Sequence, residues 1–308
     1  MKKILITCPP MAQNSSNYKL YANKKGFDLK IIKSKQILNS SEIINHLKNC
    51  SGWIVGDDLV SLEVLKKAKN LKAFVKWGVG IDNVDIKAAK KMGIPWDFTP
   101  KMFGNEVAEV AISYCLNLAK KTHLIDKEVK KGNWKKIQGE SLFNKTIGIV
   151  GLGDIGKNIA KRIKPFGAKI ISWDPKIIKN QYCERIIKKW PQEISICDYL
   201  IFSCDLNKNT HHMFNKSILK KIKPGLKVVN VSRGSLIDEK AIIKGLKDGI
   251  IDSVALDVFE REPASKSNVL LKYENCVYGS HNASNSKEAV DRTNLLALKK
   301  LFKLLKDD

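Results

Sequence analysis

The sequence predicts an α/β protein of two Rossmann-like or flavodoxin-like parallel-sheet domains, one inserted into the other, with a cleft between them. Three observations carry this. Short β-branched apolar runs alternate with segments of helical spacing along the whole chain, the pattern of β–α–β units. A length of 308 residues is enough for two domains with separate cores. A glycine-rich turn, Gly151-Leu-Gly153-Asp154-Ile155-Gly156, falls mid-chain, which makes its domain the inserted one. The expected division is 1–100 with 284–308 for the substrate domain and 101–283 for the inserted dinucleotide domain.

The elements follow in order. Met-Lys-Lys-Ile-Leu-Ile-Thr is too short an apolar run for a secretory signal and is interrupted by Cys8-Pro-Pro, so Lys3–Thr7 reads as a first strand. Further strands are expected at Leu29–Ile32, Gly52–Val55, Ala73–Lys76 and Ile94–Trp96, with helical spacing between them, as at Ser61–Ala68. A long helix is expected from about Asn105 to Lys131, with Val107, Val110, Ala111, Tyr114, Cys115 and Leu118 on its apolar face. Later strands fall at 146–150, 170–173, 199–203, 227–231 and 253–256, and a closing helix at 286–306.

The glycine turn has the context that a dinucleotide site requires. Thr146–Val150 suits a buried parallel strand, and Ile155, Ile159, Ile163 and Phe166 mark the helix that follows. Gly151 permits the tight turn, Gly153 lets backbone approach a pyrophosphate, and Gly156 allows close helix–strand packing. The helix N-terminus offers N–H groups and a positive dipole end to phosphates. Asp174 ends the next apolar run, eighteen positions past Gly156. Its carboxylate suits ribose hydroxyls and repels a 2′-phosphate, which favours NAD over NADP, a preference that Lys176 tempers. Asp154, in the first helical turn, is favoured by the dipole.

Composition narrows the class. The formal charge is +24, yet only five of the 55 basic residues are arginine and the lysines are spread along the chain. Without a basic stripe interleaved with aromatics, this reads as solvated lysine-rich surface, and no nucleic-acid partner is expected. The seven cysteines form no CxxC pair and suit free thiols in a reducing compartment, so a cytoplasmic location is expected. No stretch is long enough to span a membrane. His211-His212 has no metal-ligand spacing, and no metal is expected.

Beyond the glycine turn, the chain resembles the D-isomer-specific 2-hydroxyacid dehydrogenases over most of its length. The shared motifs are Lys76-Trp-Gly-Val79-Gly80-Ile-Asp-Asn-Val-Asp85, Gly104-Asn-Glu-Val-Ala-Glu109, Gly132-Asn-Trp134, Asn230-Val231-Ser-Arg233-Gly, Asp257 to Pro263, and Ser280-His281-Asn-Ala. The resemblance implies that Arg233 binds the substrate carboxylate, that His281 is the acid–base group, and that Glu262 holds its other ring nitrogen. A guanidinium fork and an imidazole suit those tasks. It also implies backbone contacts from Val79 and Gly80 to the carboxylate, a substrate contact at Lys76, and cofactor contacts at Ser203, Val231, Arg233 and Asp257. A homodimer joined through the dinucleotide domains is implied as well. Because the chain stops at Asp308, no C-terminal regulatory domain is expected. Asp57 and Asp58 lie where phosphoglycerate-type members commonly carry an arginine, which argues against 3-phosphoglycerate unless a lysine such as Lys76 or Lys101 replaces that contact; a polyhydroxy or sugar-derived 2-hydroxy acid fits equally well. A co-repressor-like dinucleotide-sensing protein on the same fold is the alternative reading.

Overall fold

The computed structural model describes residues 1–13, 16–32 and 37–306. They form two compact units, Met1–Met102 with Asn285–Asp308, and Phe103–Ser284. The second is thus inserted into the first. No helix among the described residues is long and apolar enough to cross a membrane.

The first unit alternates β1 (Lys2–Ile6), α1 (Pro9–Gln13), α2 (Ser16–Asn23), β2 (Phe27–Ile31), α3 (Ser40–Leu47), β3 (Gly52–Val55), α4 (Leu62–Lys67), β4 (Ala73–Lys76), α5 (Ile86–Lys91) and β5 (Trp96–Phe98). All its strands are parallel, in the order β2-β1-β3-β4-β5, the flavodoxin-like arrangement. Strands β3 and β4 are buried along their whole length because helices cover both faces, which is why they read as unbroken apolar runs. Local signals fix the helix starts. Asn39 and Glu42 form a capping box on α3, and Ser61 and Asp85 cap α4 and α5.

The second unit opens with α6 (Gly104–Lys120) and α7 (Thr122–Lys130). One continuous helix was expected over this stretch; Lys121 breaks it, left-handed at φ 55, with its N–H closing on Asn117 O. Then come β6 (Thr146–Val150), α8 (Asp154–Ile163), β7 (Lys169–Trp173), β8 (Arg185–Ile187), β9 (Tyr199–Phe202), β10 (Leu226–Asn230), α9 (Glu239–Lys247), β11 (Ile251–Leu256) and β12 (Val277–Tyr278). The parallel sheet runs β12-β11-β10-β9-β6-β7-β8. Its order reverses between β6 and β9, the switch point where open α/β sheets bind ligands at the carboxyl ends of their strands. The last helix, α10 (Lys287–Leu304), belongs to the first unit and is capped by Ser286. All seven cysteines are free thiols.

Candidate active site

In the second unit the chemistry-bearing residues all follow carboxyl ends of parallel strands. Gly151 follows β6, Asp174 β7, Ser203 β9, Arg233 β10, Asp257 β11 and His281 β12.

The glycine turn is built as its spacing predicts. Gly151 has φ +91, and a Cβ there would lie 2.6 Å from the Cys204 backbone. A Cβ on Gly156 would lie 2.0 Å from Gly151 O, so α8 packs directly on the turn. Gly153 has nothing within 4 Å of that position and leads into α8 without a side-chain cap. This is the open, N–H-lined approach that a pyrophosphate requires. Asp154 turns away from it: its carboxylate lies over Gly104 at the start of α6, 2.4 Å from where a Cβ would stand. Ile155 is half-buried behind it.

Asp174, expected at the ribose, is held by backbone N–H groups. Its Oδ2 accepts from Leu152 N at 2.8 Å, and Oδ1 accepts from Lys176 N at 2.8 Å and Ile177 N at 2.9 Å. Burial pushes its pKa up, but these N–H groups outweigh burial and hold the carboxyl below its ordinary value. The charge that disfavours a 2′-phosphate is therefore maintained. Ser203, expected at the cofactor, donates its hydroxyl to Gly151 O at 2.8 Å and so holds the turn. Val231 is buried, its N–H on Phe202 O.

Arg233 leaves β10 on a stapled loop. Asn230 Nδ2 donates to Arg233 O at 2.8 Å while its Oδ1 accepts from Ser232 N at 3.1 Å, and Ser232 Oγ donates to Cys204 O. Gly234 follows because a Cβ there would lie 1.9 Å from Phe259 C and 2.0 Å from Phe259 O. The arginine loop therefore rests directly on the backbone of the loop that carries Glu262.

Glu262 Oε2 and His281 Nδ1 are 2.7 Å apart, and Glu262 Oε1 accepts from Phe259 N at 2.9 Å. The carboxylate is thus pinned at one oxygen and faces the ring with the other. That fixes the ring against the carboxylate and gives an imidazolium a counter-charge. Asp257, expected at the nicotinamide, is only 2% exposed. Its carboxylate accepts from Asn282 N, Ala283 N and the Tyr114 hydroxyl. Its side-chain bonds thus go to the turn bearing His281 and to α6.

In the first unit, Val79 and Gly80 lie on a turn after β4 that Thr99 pins: Gly78 N donates to Thr99 Oγ1 at 2.7 Å. Val79 is exposed and Gly80 half-buried. Lys76, expected to touch substrate, is 3% exposed. Its ammonium donates to Trp77 O at 2.8 Å and pairs with Asp57 at 3.5 Å, so it supports the turn from beneath. The two neighbouring aspartates also separate. Asp58 is fully buried, accepts from Leu38 N at 2.8 Å, and has its pKa pushed up by burial, so the argument against a phosphate rests on Asp57 alone.

Asn230, Ser232 and Tyr114 were not anticipated as parts of the site. The adjacency of Asn230 and Ser232 to Arg233 was a signal for the first two. Nothing in the sequence marked Tyr114, which looks like one more apolar-face residue of α6.

Residues 112–283, more than half of the chain, match the family model described as D-isomer specific 2-hydroxyacid dehydrogenase, NAD binding domain. The D-3-phosphoglycerate dehydrogenase of Methanocaldococcus jannaschii is 33% identical over 278 residues, covering 88% of this chain and 53% of that protein. The glyoxylate reductase of Korarchaeum cryptofilum is 32% identical over 289 residues, covering 89% of this chain and 87% of that protein. The chain thus spans about half the length of the phosphoglycerate dehydrogenases it matches. A D-lactate dehydrogenase of Aquifex aeolicus, solved with NAD and lactic acid, aligns with a TM-score of 0.86 at 25% identity, covering 100% of this chain and 96% of that one.

Proposed function

The chain belongs to the D-isomer specific 2-hydroxyacid dehydrogenases, and from that premise we propose that it interconverts a D-2-hydroxy acid and its 2-oxo acid with NAD as cofactor. The observation that carries the reading is the His281 Nδ1–Glu262 Oε2 contact of 2.7 Å, made on the loops beyond β11 and β12. When bound, NAD(H) accepts or supplies the hydride. Arg233 holds the substrate carboxylate through its fork of N–H donors and polarises the reacting oxygen. His281 takes the hydroxyl proton at Nε2 during oxidation and returns it to the carbonyl oxygen during reduction, while Glu262 fixes the tautomer and balances the imidazolium. Within the first unit, the turn pinned by Thr99 offers the Val79 and Gly80 amides to an anion.

The substrate we propose is a small acid without a phosphate. Asp57, partly exposed and joined to that turn through Lys76, disfavours a phosphate beside it, and the buried Lys76 is already committed. A homodimer completes the proposal; the groove lined by Ile112, Leu116 and Phe166 supports it as an apolar surface of the second unit.

The test is NADH consumption against hydroxypyruvate, glyoxylate, 3-phosphohydroxypyruvate and sugar-derived 2-oxo acids. We expect turnover of an unphosphorylated member, with His281→Ala lowering kcat by about 10²-fold or more and Arg233→Ala raising KM and lowering kcat. Variants equal to the wild type on a good substrate would remove these residues from the site. A strong preference for the phosphorylated acid would reject the substrate assignment.

A further inference from the structure

The hydroxyl of Tyr114 is more than packing requires. Val107, Ala111, Cys115 and Leu118 share its inward face of α6, and an apolar side chain would fill the same space. A buried hydroxyl needs a partner, and this one donates to Asp257 Oδ1 at 3.3 Å.

Asp257 is unusual in turn. It is 2% exposed and, among the described residues, pairs with no cation. Three successive amides end on it: His281 N donates to its main-chain oxygen at 2.7 Å, Asn282 N to Oδ1 at 3.1 Å and Ala283 N to Oδ2 at 2.9 Å. These bonds hold His281 at φ +55, a left-handed conformation that a non-glycine residue keeps only when its surroundings impose it. Two of the three depend on the Asp257 carboxylate, and Oδ1 is the atom that Tyr114 shares with Asn282.

The site admits no easy substitute. A Cβ on Gly279 would lie 2.2 Å from Asp257 Oδ1 and 2.4 Å from the Tyr114 oxygen, so the Gly279 backbone is pressed against both. Burial, and next the Asp257 charge, push the Tyr114 pKa above its ordinary value, so the phenol stays a donor at working pH.

We propose that Tyr114 is a positioning residue for proton transfer by His281, acting through Asp257 to fix the 281–283 turn. The proposal rests on the dehydrogenase reading for its kinetic consequence but not for its structural one. Tyr114→Phe keeps the ring and removes the donor, leaving a buried carboxylate with two hydrogen bonds instead of three.

The experiment compares wild type, Tyr114→Phe, Asp257→Asn and the double variant. It measures kcat and KM for the best 2-oxo acid and for NADH, and the hydrogen exchange of the Asn282 and Ala283 amides. In Tyr114→Phe we expect kcat to fall roughly tenfold, about the worth of one hydrogen bond to a buried charge, with KM for NADH unchanged. Exchange at the two amides should accelerate by a similar factor. In the Asp257→Asn background, Tyr114→Phe should add little, because residues acting in series are not additive. Wild-type kcat and exchange in Tyr114→Phe would overturn the proposal, as would losses that multiply in the double variant. A raised KM for NADH at unchanged kcat would reduce Tyr114 to support of the cofactor site. If wild type turns over no acid while the amides still respond to Tyr114→Phe, the dehydrogenase reading falls and the hold on the turn stands.

Discussion

At the scale of single residues, the site depends on close backbone approach as much as on chemical groups. Gly234 is the clearest case. A methyl group there would meet Phe259 C at 1.9 Å and Glu260 N at 2.4 Å, both main-chain atoms. They cannot swing aside as a flexible side chain does, so Gly234→Ala must move the Arg233 loop or the Glu262 loop. Overpacking of this kind costs about 1–3 kcal/mol, and displacement of catalytic groups by about 1 Å costs on the order of 10²-fold in rate. We expect Gly234→Ala to lower both the melting temperature and kcat/KM, the latter by roughly 100-fold. Unchanged steady-state kinetics in a folded Gly234→Ala protein would show that the two loops need not touch. The same scale shows what the sequence could carry. Gly151 announces itself by residue type and spacing, and Arg233, Glu262 and His281 stand out through the family motifs that contain them. The burial of Lys76 and Asp58 does not. Whether a charged residue near a strand end points outward or is buried under a turn depends on partners distant in sequence, here Asp57 for one and Leu38 for the other.

At the scale of elements, periodicity located the strands of both sheets except β8 and β12, and failed where local backbone chemistry decides. β8 has three residues and β12 two, too few for any period to show. The strand expected at 94–96 begins only at Trp96, after Pro95, whose nitrogen has no hydrogen to give a ladder. Apolar spacing continues through Lys121, so nothing in the pattern marks the break between α6 and α7; a single left-handed residue does. Lysine has no special tolerance for that conformation, and glycine does. Lys121→Gly should therefore stabilise the protein by about 0.5–1 kcal/mol, net of glycine's larger unfolded-state entropy. Urea unfolding would read this as a higher midpoint at unchanged slope. A lower midpoint would mean that Lys121 contributes contacts worth more than the conformational cost.

At the scale of the whole molecule, the charge of +24 works against compactness, and acid deepens it. One half-buried cluster in the second unit contributes to how stability responds. Glu140 accepts from Tyr199 at 2.7 Å, Lys227 at 2.8 Å and Lys145 at 2.6 Å, and Lys227 also approaches Asp252 at 3.4 Å. Burial alone would raise the Glu140 pKa, but the two ammonium groups and the phenol outweigh it and bring it from 4.5 down to about 2. A carboxyl whose pKa is depressed by folding stabilises the native state above its unfolded value. That contribution is lost as pH falls through the folded one. For Glu140 the window therefore opens near 4.5 and closes near 2. Across it, protonation also strands Lys145 and Lys227 beside a neutral acid, adding to the excess positive charge. Glu140→Gln should be less stable than wild type at pH 7 and should lose less of its remaining stability between pH 4.5 and pH 2. Urea titrations at several pH values would compare the two slopes. Added salt should narrow the acid loss in both proteins, by screening the self-repulsion more than these close, half-buried pairs. Parallel pH slopes for the two would place the acid sensitivity in the general lysine excess and not in this cluster.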